Sequence, residues 1–169
     1  MHVTSSGKAT VTLPADDQIL IRREFDAPKH LVYQAFTTPE LIKRWWSGDR
    51  GEVTSVEVDL RVGGRWRYVM VVRCGSEFDG SEVGFHGEYR EIEPFERLVS
   101  TEAYEGIPDA DAHAAVDTLT LTEVDGRTSM TVLVEHPTKE GRDMHIESGM
   151  EDGMQDAMSL LEGVAAELR

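Results

Sequence analysis

Apolar and polar residues alternate through the middle of this chain, and apolar residues recur at helical spacing on either side of it. Ile19, Ile21 and Phe25 form a strand-like run that ends at Pro28, after which Leu31, Val32, Ala35 and Phe36 mark one face of a helix. Thr38, Pro39 and Glu40 read as an N-cap followed by proline at the first helical position. They open a second short helix with Leu41, Ile42, Trp45 and Trp46 on its apolar side. From Glu52 to Val134 the alternation takes over, broken at Gly63-Gly64, Gly75 to Gly80, Glu93-Pro94, Gly106-Ile107-Pro108 and Asp125-Gly126. That pattern predicts a meander of six further strands.

After Pro137 the helical period returns, and Ile146, Met150, Met154, Met158 or Ala157, Leu161, Val164 or Ala165, and Leu168 predict the apolar stripe of a long C-terminal helix. Glu147, Glu151, Asp152, Asp156, Glu162 and Glu167 are expected on its wet side. Gly149 and Gly153 each cost about 1 kcal/mol relative to alanine inside a helix. Two of them on one turn point to close packing, a nearby ligand or a bend.

The strand faces follow from the alternation. Trp66, Tyr68, Met70 and Val72 share a face opposite Arg65, Arg67 and Arg73, and Phe85, Gly87 and Tyr89 oppose His86, Glu88 and Arg90. Glu102 and Tyr104 share a face with Leu98 and Ser100. In Leu119 to Leu121 and Met130 to Val134 both faces are mild, and the alternation leaves them open.

Length and charge narrow the classes of function. The 169 residues suit one domain, predicted over residues 18–169 behind a flexible Ser/Thr/Gly-rich lead at residues 1–17. A domain of this size buries roughly 70% of its unfolded surface, enough for a core with a cavity. The formal charge of −15, from 32 acidic against 17 basic side chains, argues against nucleic acid or an anionic membrane as partner. Cys74 is the one cysteine and cannot form an internal disulfide. No early stretch combines a basic start with an apolar run, so a reducing cytoplasm is expected. No apolar run approaches the ~20 residues that span a bilayer, and membrane insertion is not expected.

Five segments in fixed order carry a family resemblance: Ala27-Pro28; Pro39-Glu40-Leu41 with Trp45-Trp46; Asp59 to Gly64; Gly87 to Pro94 with Glu96-Arg97-Leu98-Val99; and Gly149-Met150 with Gly153-Met154. Over residues 18–169 the chain resembles the SRPBCC superfamily of START and Bet v 1 proteins. Within it, the chain is similar to bacterial single-domain proteins related to the C-terminal domain of the Hsp90 ATPase activator. The resemblance implies an α+β helix-grip fold, a seven-stranded antiparallel sheet wrapped around a long C-terminal helix, with two short helices between the first two strands. It also implies an interior pocket for a small apolar or amphipathic molecule. Members of the superfamily include ligand carriers as well as cyclases and dehydratases of aromatic polyketides.

Trp45, Trp46, Trp66, Tyr68, Met70, Phe85, Tyr89, Tyr104, Met150, Met154 and Met158 are therefore the predicted ligand-binding residues, against the competing reading that they fill a solid interior. Access is expected between the Trp45-Trp46 segment, the loop from Gly75 to Gly80 and the C-terminal helix. No residue is assigned a catalytic role, and no cofactor or metal is expected. An acid or base would need burial in an apolar cavity, and Glu102, Tyr104 and His86 are the positions to test. His86 alternates with Phe85 and is expected outside, in a charge ladder with Glu88 and Arg90. Asp109, Asp111 and His113 read as a solvated loop, His136 and His145 as too separated for a zinc pair, and Asp59 with Arg61 as a structural ion pair.

Binding of a small hydrophobic molecule, lipid-like or polyketide-like, is thus the first functional expectation, with any ligand uncharged or weakly polar. A cyclase or dehydratase using the same cavity is the alternative. A chaperone-interaction or stress-response module ranks below both, because the chain lacks the length for the activator's additional N-terminal domain. A homodimer is left open, since many relatives pair.

Overall fold

The computed structural model describes residues 8–169. Eight strands form one antiparallel sheet: β1 (Thr10–Thr12), β2 (Gln18–Phe25), β3 (Gly51–Val58), β4 (Arg65–Val72), β5 (Glu82–Glu93), β6 (Arg97–Tyr104), β7 (Ala115–Val124) and β8 (Arg127–Glu135). Their spatial order is β1-β2-β8-β7-β6-β5-β4-β3. The predicted meander runs from β3 to β8, and β2 closes onto β8 with Ile19 opposite Val134 and Phe25 opposite Thr128. One strand more is present than expected: Thr10–Thr12, inside the stretch read as a lead, pairs with Leu20 to Arg22 at the sheet edge.

Helices α1 (Lys29–Thr37) and α2 (Pro39–Ile42) carry the chain from β2 to the far edge at β3. Thr38 takes the cap position of α2 in an extended conformation, but its side chain makes no capping hydrogen bond. The helix ends at Ile42 rather than continuing to Trp46, and tight turns carry the chain on through Trp45 and Trp46.

The C-terminal helix is two helices, α3 (Lys139–Glu147) and α4 (Met150–Glu167). Gly149 separates them at φ +81°, a left-handed conformation that costs a side chain-bearing residue of the order of 1 kcal/mol. Arg50 lies against this break: its Nη2 donates to the Gly149 carbonyl at 2.9 Å, and a Cβ on Gly153 would stand 3.0 Å from its Nε. Of the readings that two glycines allow, bend and close packing both describe the result.

The apolar stripe of α4 faces the sheet as expected. Ala157, Met158, Leu161, Val164 and Ala165 are buried with Ile19, Phe25, Val32, Ile42, Leu121 and Met130 in one core. Glu162 departs from the expectation. It is 3% exposed, not on the wet side, because Arg23 reaches it from the otherwise apolar inner face of β2.

Candidate functional site

The register of the sheet decides which side chains share its inner face. Trp66 stands opposite Gly87 and Tyr68 opposite Phe85 across β4 and β5. Phe85 stands opposite Tyr104, and Tyr89 opposite Ser100, across β5 and β6. Leu98 faces Leu119 and Ser100 faces Asp117 across β6 and β7. Since Leu98 and Leu119 belong to the core, Ser100, Glu102, Asp117, Tyr68, Phe85, Tyr89 and Tyr104 all lie on the inward side.

Aromatic rings crowd this face. Trp46 meets Tyr68 edge to face at 5.3 Å between centroids and Phe85 at 5.5 Å; Phe85 meets Tyr104 at 5.3 Å, and Trp66 meets Tyr68 at 4.6 Å. Glycine at position 87 is required by a neighbour: a Cβ there would lie 2.6 Å from the Trp66 Nε1 and 1.8 Å from the Thr101 carbonyl oxygen. The Trp66 indole donates to that carbonyl at 3.2 Å, so one tryptophan spans β5 and ties β4 to β6. Met150 and Met154 pack against the core from the first turns of α4.

Two carboxyls sit among these rings. Glu102 and Asp117, on adjacent strands and the same face, hydrogen-bond each other, which requires one of them to carry a proton. Burial raises the pKa of Glu102, with the bond to Asp117 pulling the other way. Burial raises Asp117 well above the usual carboxylate range, and the neighbouring Glu102 charge adds to it. Asp117 Oδ1 is buried and has no hydrogen-bond partner among the described residues. Burial likewise pushes Tyr68 up, and takes Tyr89 to about 12, while their hydroxyls hydrogen-bond each other.

The predicted wall residues separate by position. Trp46, Tyr68, Phe85, Met150 and Met154 are partly covered and face inward, and Trp66 and Tyr89 are buried beside them. Tyr104 lies at the rim, 43% exposed. Trp45 turns the other way, into the core, where its Nε1 donates to the Ala35 carbonyl at 2.9 Å and its ring meets Phe36. Met158 is wholly packed in the core, and Met70 is buried toward the β3 edge, where Gly51 approaches its methyl end.

His86 is on the outer face, but in a tighter arrangement than a ladder with Glu88 and Arg90. Its Nδ1 is 2.7 Å from Glu105 and its Nε2 2.5 Å from Asp111, and Arg67 holds Glu105 through two hydrogen bonds. The hydrogen bonds to Asp111 and Glu105 raise the His86 pKa, while Arg67, first, and His86 hold Glu105 down to about 2. Asp59 and Arg61 form the expected ion pair at 2.9 Å. His136 and His145, nine positions apart, do meet: Nε2 of the first is 3.0 Å from Nδ1 of the second. Among the described residues no group of three or more His, Cys, Asp or Glu is placed to hold a metal ion.

Asp117 is the member of the site that the strand pattern left open. It shares parity with Leu119 and Leu121, and that parity with a buried pair was the available signal.

The sequence profile of the Activator of Hsp90 ATPase homolog 1-like proteins matches residues 26–166. The chain belongs to this family. Its structure agrees with that of a Rhodobacter sphaeroides protein that is 25% identical, at TM-score 0.83 over 95% of this chain and 99% of the other. A Nitrosomonas europaea protein, also 25% identical, gives 0.78 over 92% and 97%. DynU16, a protein of the dynemicin biosynthetic locus, is 22% identical and gives 0.61 over 88% of this chain and 46% of its own. No curated protein matches the sequence. As an Activator of Hsp90 ATPase homolog 1-like protein, the chain has the helix-grip arrangement of sheet and C-terminal helix that the five motifs imply. Among the described residues no helix is long and apolar enough to cross a membrane.

Proposed function

We propose that this protein binds a small hydrophobic or amphipathic molecule between the inner face of β4 to β7 and the first half of α4. The observation that carries this reading is a difference between the two halves of the inner face. Around β2 and β8 the inward side chains are sealed, with Ile19 and Phe25 at 0% exposure. Around β4 to β7, Tyr68, Phe85, Ser100, Glu102 and Asp117 point the same way and remain partly uncovered. Rings and thioethers left partly uncovered on one inward face can serve as the apolar walls of a small-molecule site, with a few polar groups to orient the ligand. The groove at the opposite end of the sheet, lined by Pro28, His30, Leu31, Gly126, Leu168 and Arg169, has no such aromatic group.

Native mass spectrometry of the purified protein, with a thermal-shift screen of aromatic polyketides, sterols, flavonoids and fatty acids, tests the reading. A retained mass, or a shift of several degrees with one chemical class, supports it. Silence across all classes means that the aromatic face is packed core.

A cyclase or dehydratase acting on a polyketide-like substrate is the second reading. The Glu102 and Asp117 pair favours it, because two carboxyls sharing one proton can both donate and accept. His86 does not serve it, since it lies on the other side of the sheet. Turnover of a bound polyketide that Glu102→Gln abolishes would establish this activity. Chaperone contact is a separate expectation from the family resemblance, and a pull-down with Hsp90 that returns nothing removes it.

A further inference from the structure

We propose that the occupant of this inner face is an amphipathic amine, its protonated nitrogen held by Glu102 and Asp117 and its apolar body laid against Trp46, Tyr68 and Phe85. This rests on the binding reading above and specifies the chemistry of the ligand, replacing the uncharged molecule expected from the aromatic residues alone.

Three observations carry it. The register sets Ser100 opposite Asp117 and Glu102 opposite Ala115, so the two carboxyls are diagonal neighbours on one inward face. On this desolvated face a carboxylate without a positive partner is costly. Asp117 Oδ1 is buried with no hydrogen-bond partner among the described residues. An ammonium group brings three donors and the missing charge together; a hydroxyl brings one donor and no charge, and a carboxylate adds a third like charge.

Among the described residues no Lys or Arg acts on Glu102 or Asp117. Arg67, on β4, lies on the outer side with Glu105, and Arg50 donates to the Gly149 carbonyl. The ring faces of Trp46, Tyr68 and Phe85 complete the argument, because an aromatic ring attracts a cation within about 6 Å of its centroid. At long range the formal charge of −15 draws cations toward the protein and repels anions.

Calorimetric titration with 4-phenylbutylamine, 4-phenylbutanol and 4-phenylbutyrate, which share one apolar body, separates the cases. The amine is expected to bind at least about tenfold tighter than the alcohol, and the acid weakest. Glu102→Gln and Asp117→Asn are each expected to bring the amine to the affinity of the alcohol for the same variant. Glu105→Gln, which removes a carboxylate from the outer face, is expected to keep the preference. Equal binding of amine and alcohol, or tighter binding of the acid, overturns the amine proposal and leaves the apolar site standing. Loss of the preference in Glu105→Gln overturns it too, by assigning the effect to surface charge. Binding of none of the three overturns the amine proposal, and the wider screen then decides the apolar site.

Discussion

Arg23 on β2 and Glu162 on α4 form an ion pair inside the core, with Nη1 3.5 Å from Oε2 and each residue 3% exposed. The guanidinium also lies 4.9 Å from the centroid of the Phe25 ring, and Glu162 Oε2 accepts from the Asp26 backbone N–H at 2.9 Å. A polar bond thus joins the helix to the sheet in the sealed half of the molecule. Removing one partner of such a pair leaves the other charge desolvated, at a cost of about 3–5 kcal/mol. Glu162→Ala is expected to lose that much in urea unfolding. The double variant Arg23→Met with Glu162→Leu should recover most of it, and a double variant no more stable than Glu162→Ala would show that the pair does more than cancel its own burial.

Asp117 makes the opposite prediction for stability. Its folded pKa is raised, so the folded protein binds more protons than the unfolded chain above the ordinary aspartate value. Stability from this group is therefore present at low pH and lost as pH rises through its folded pKa. Asp117→Asn removes the titration and keeps a hydrogen-bonding shape beside Glu102. At pH 8 the variant is expected to be more stable than the wild type, as a rise in the midpoint of thermal unfolding. A fall at that pH would mean that the carboxylate is compensated within the fold.

His145 sets an acid limit. Burial, and then the neighbouring His136, hold its pKa down to about 4, and burial also lowers His136. Both are neutral in the folded protein where the unfolded chain would already be protonated. The sign follows: stability is complete above the ordinary histidine value near 6.5 and declines as pH falls toward 4. The full effect for His145 is about 3 kcal/mol. A thermal-unfolding series from pH 7 to 4 should show the decline, and His145→Gln should flatten it. An unchanged slope in that variant would place the acid sensitivity elsewhere.

The fold was legible because its signals are local. Alternation in Arg65 to Val72 and in Phe85 to Tyr89 sorted inner from outer residues correctly, and His86 fell outside as its parity required. What stayed hidden depends on partners far along the chain. Glu162 has the spacing of a solvated residue, and partners at Arg23, 139 positions away, and at the Asp26 backbone hold it inside. Trp45 and Trp46 are adjacent and alike in composition, yet one donates to Ala35 while the other reaches Tyr68 and Phe85. Spacing on one short element does not say which of two neighbours meets a sheet that forms later in the chain. His136 and His145 show the same effect at shorter range, since the turn at Pro137 folds α3 back and closes a gap that the sequence shows as nine positions.

Met154 is where the open-face reading and the packed-core reading diverge most clearly. It stands one helical turn from Met150 and one from Met158, on the same stripe of α4. Met158 is sealed in the core and Met154 is partly uncovered. Tryptophan at a sealed position forces its neighbours apart, typically at 1–3 kcal/mol, and Met158→Trp is expected to show that loss. Met154→Trp should instead extend its ring over the aromatic face with a cost below about 1 kcal/mol, and lower the affinity for 4-phenylbutanol at least about tenfold. Paired unfolding curves and titrations of the two variants make the comparison. Equal destabilisation, with no ligand bound by the wild type, would mean that α4 seals the sheet along its whole length.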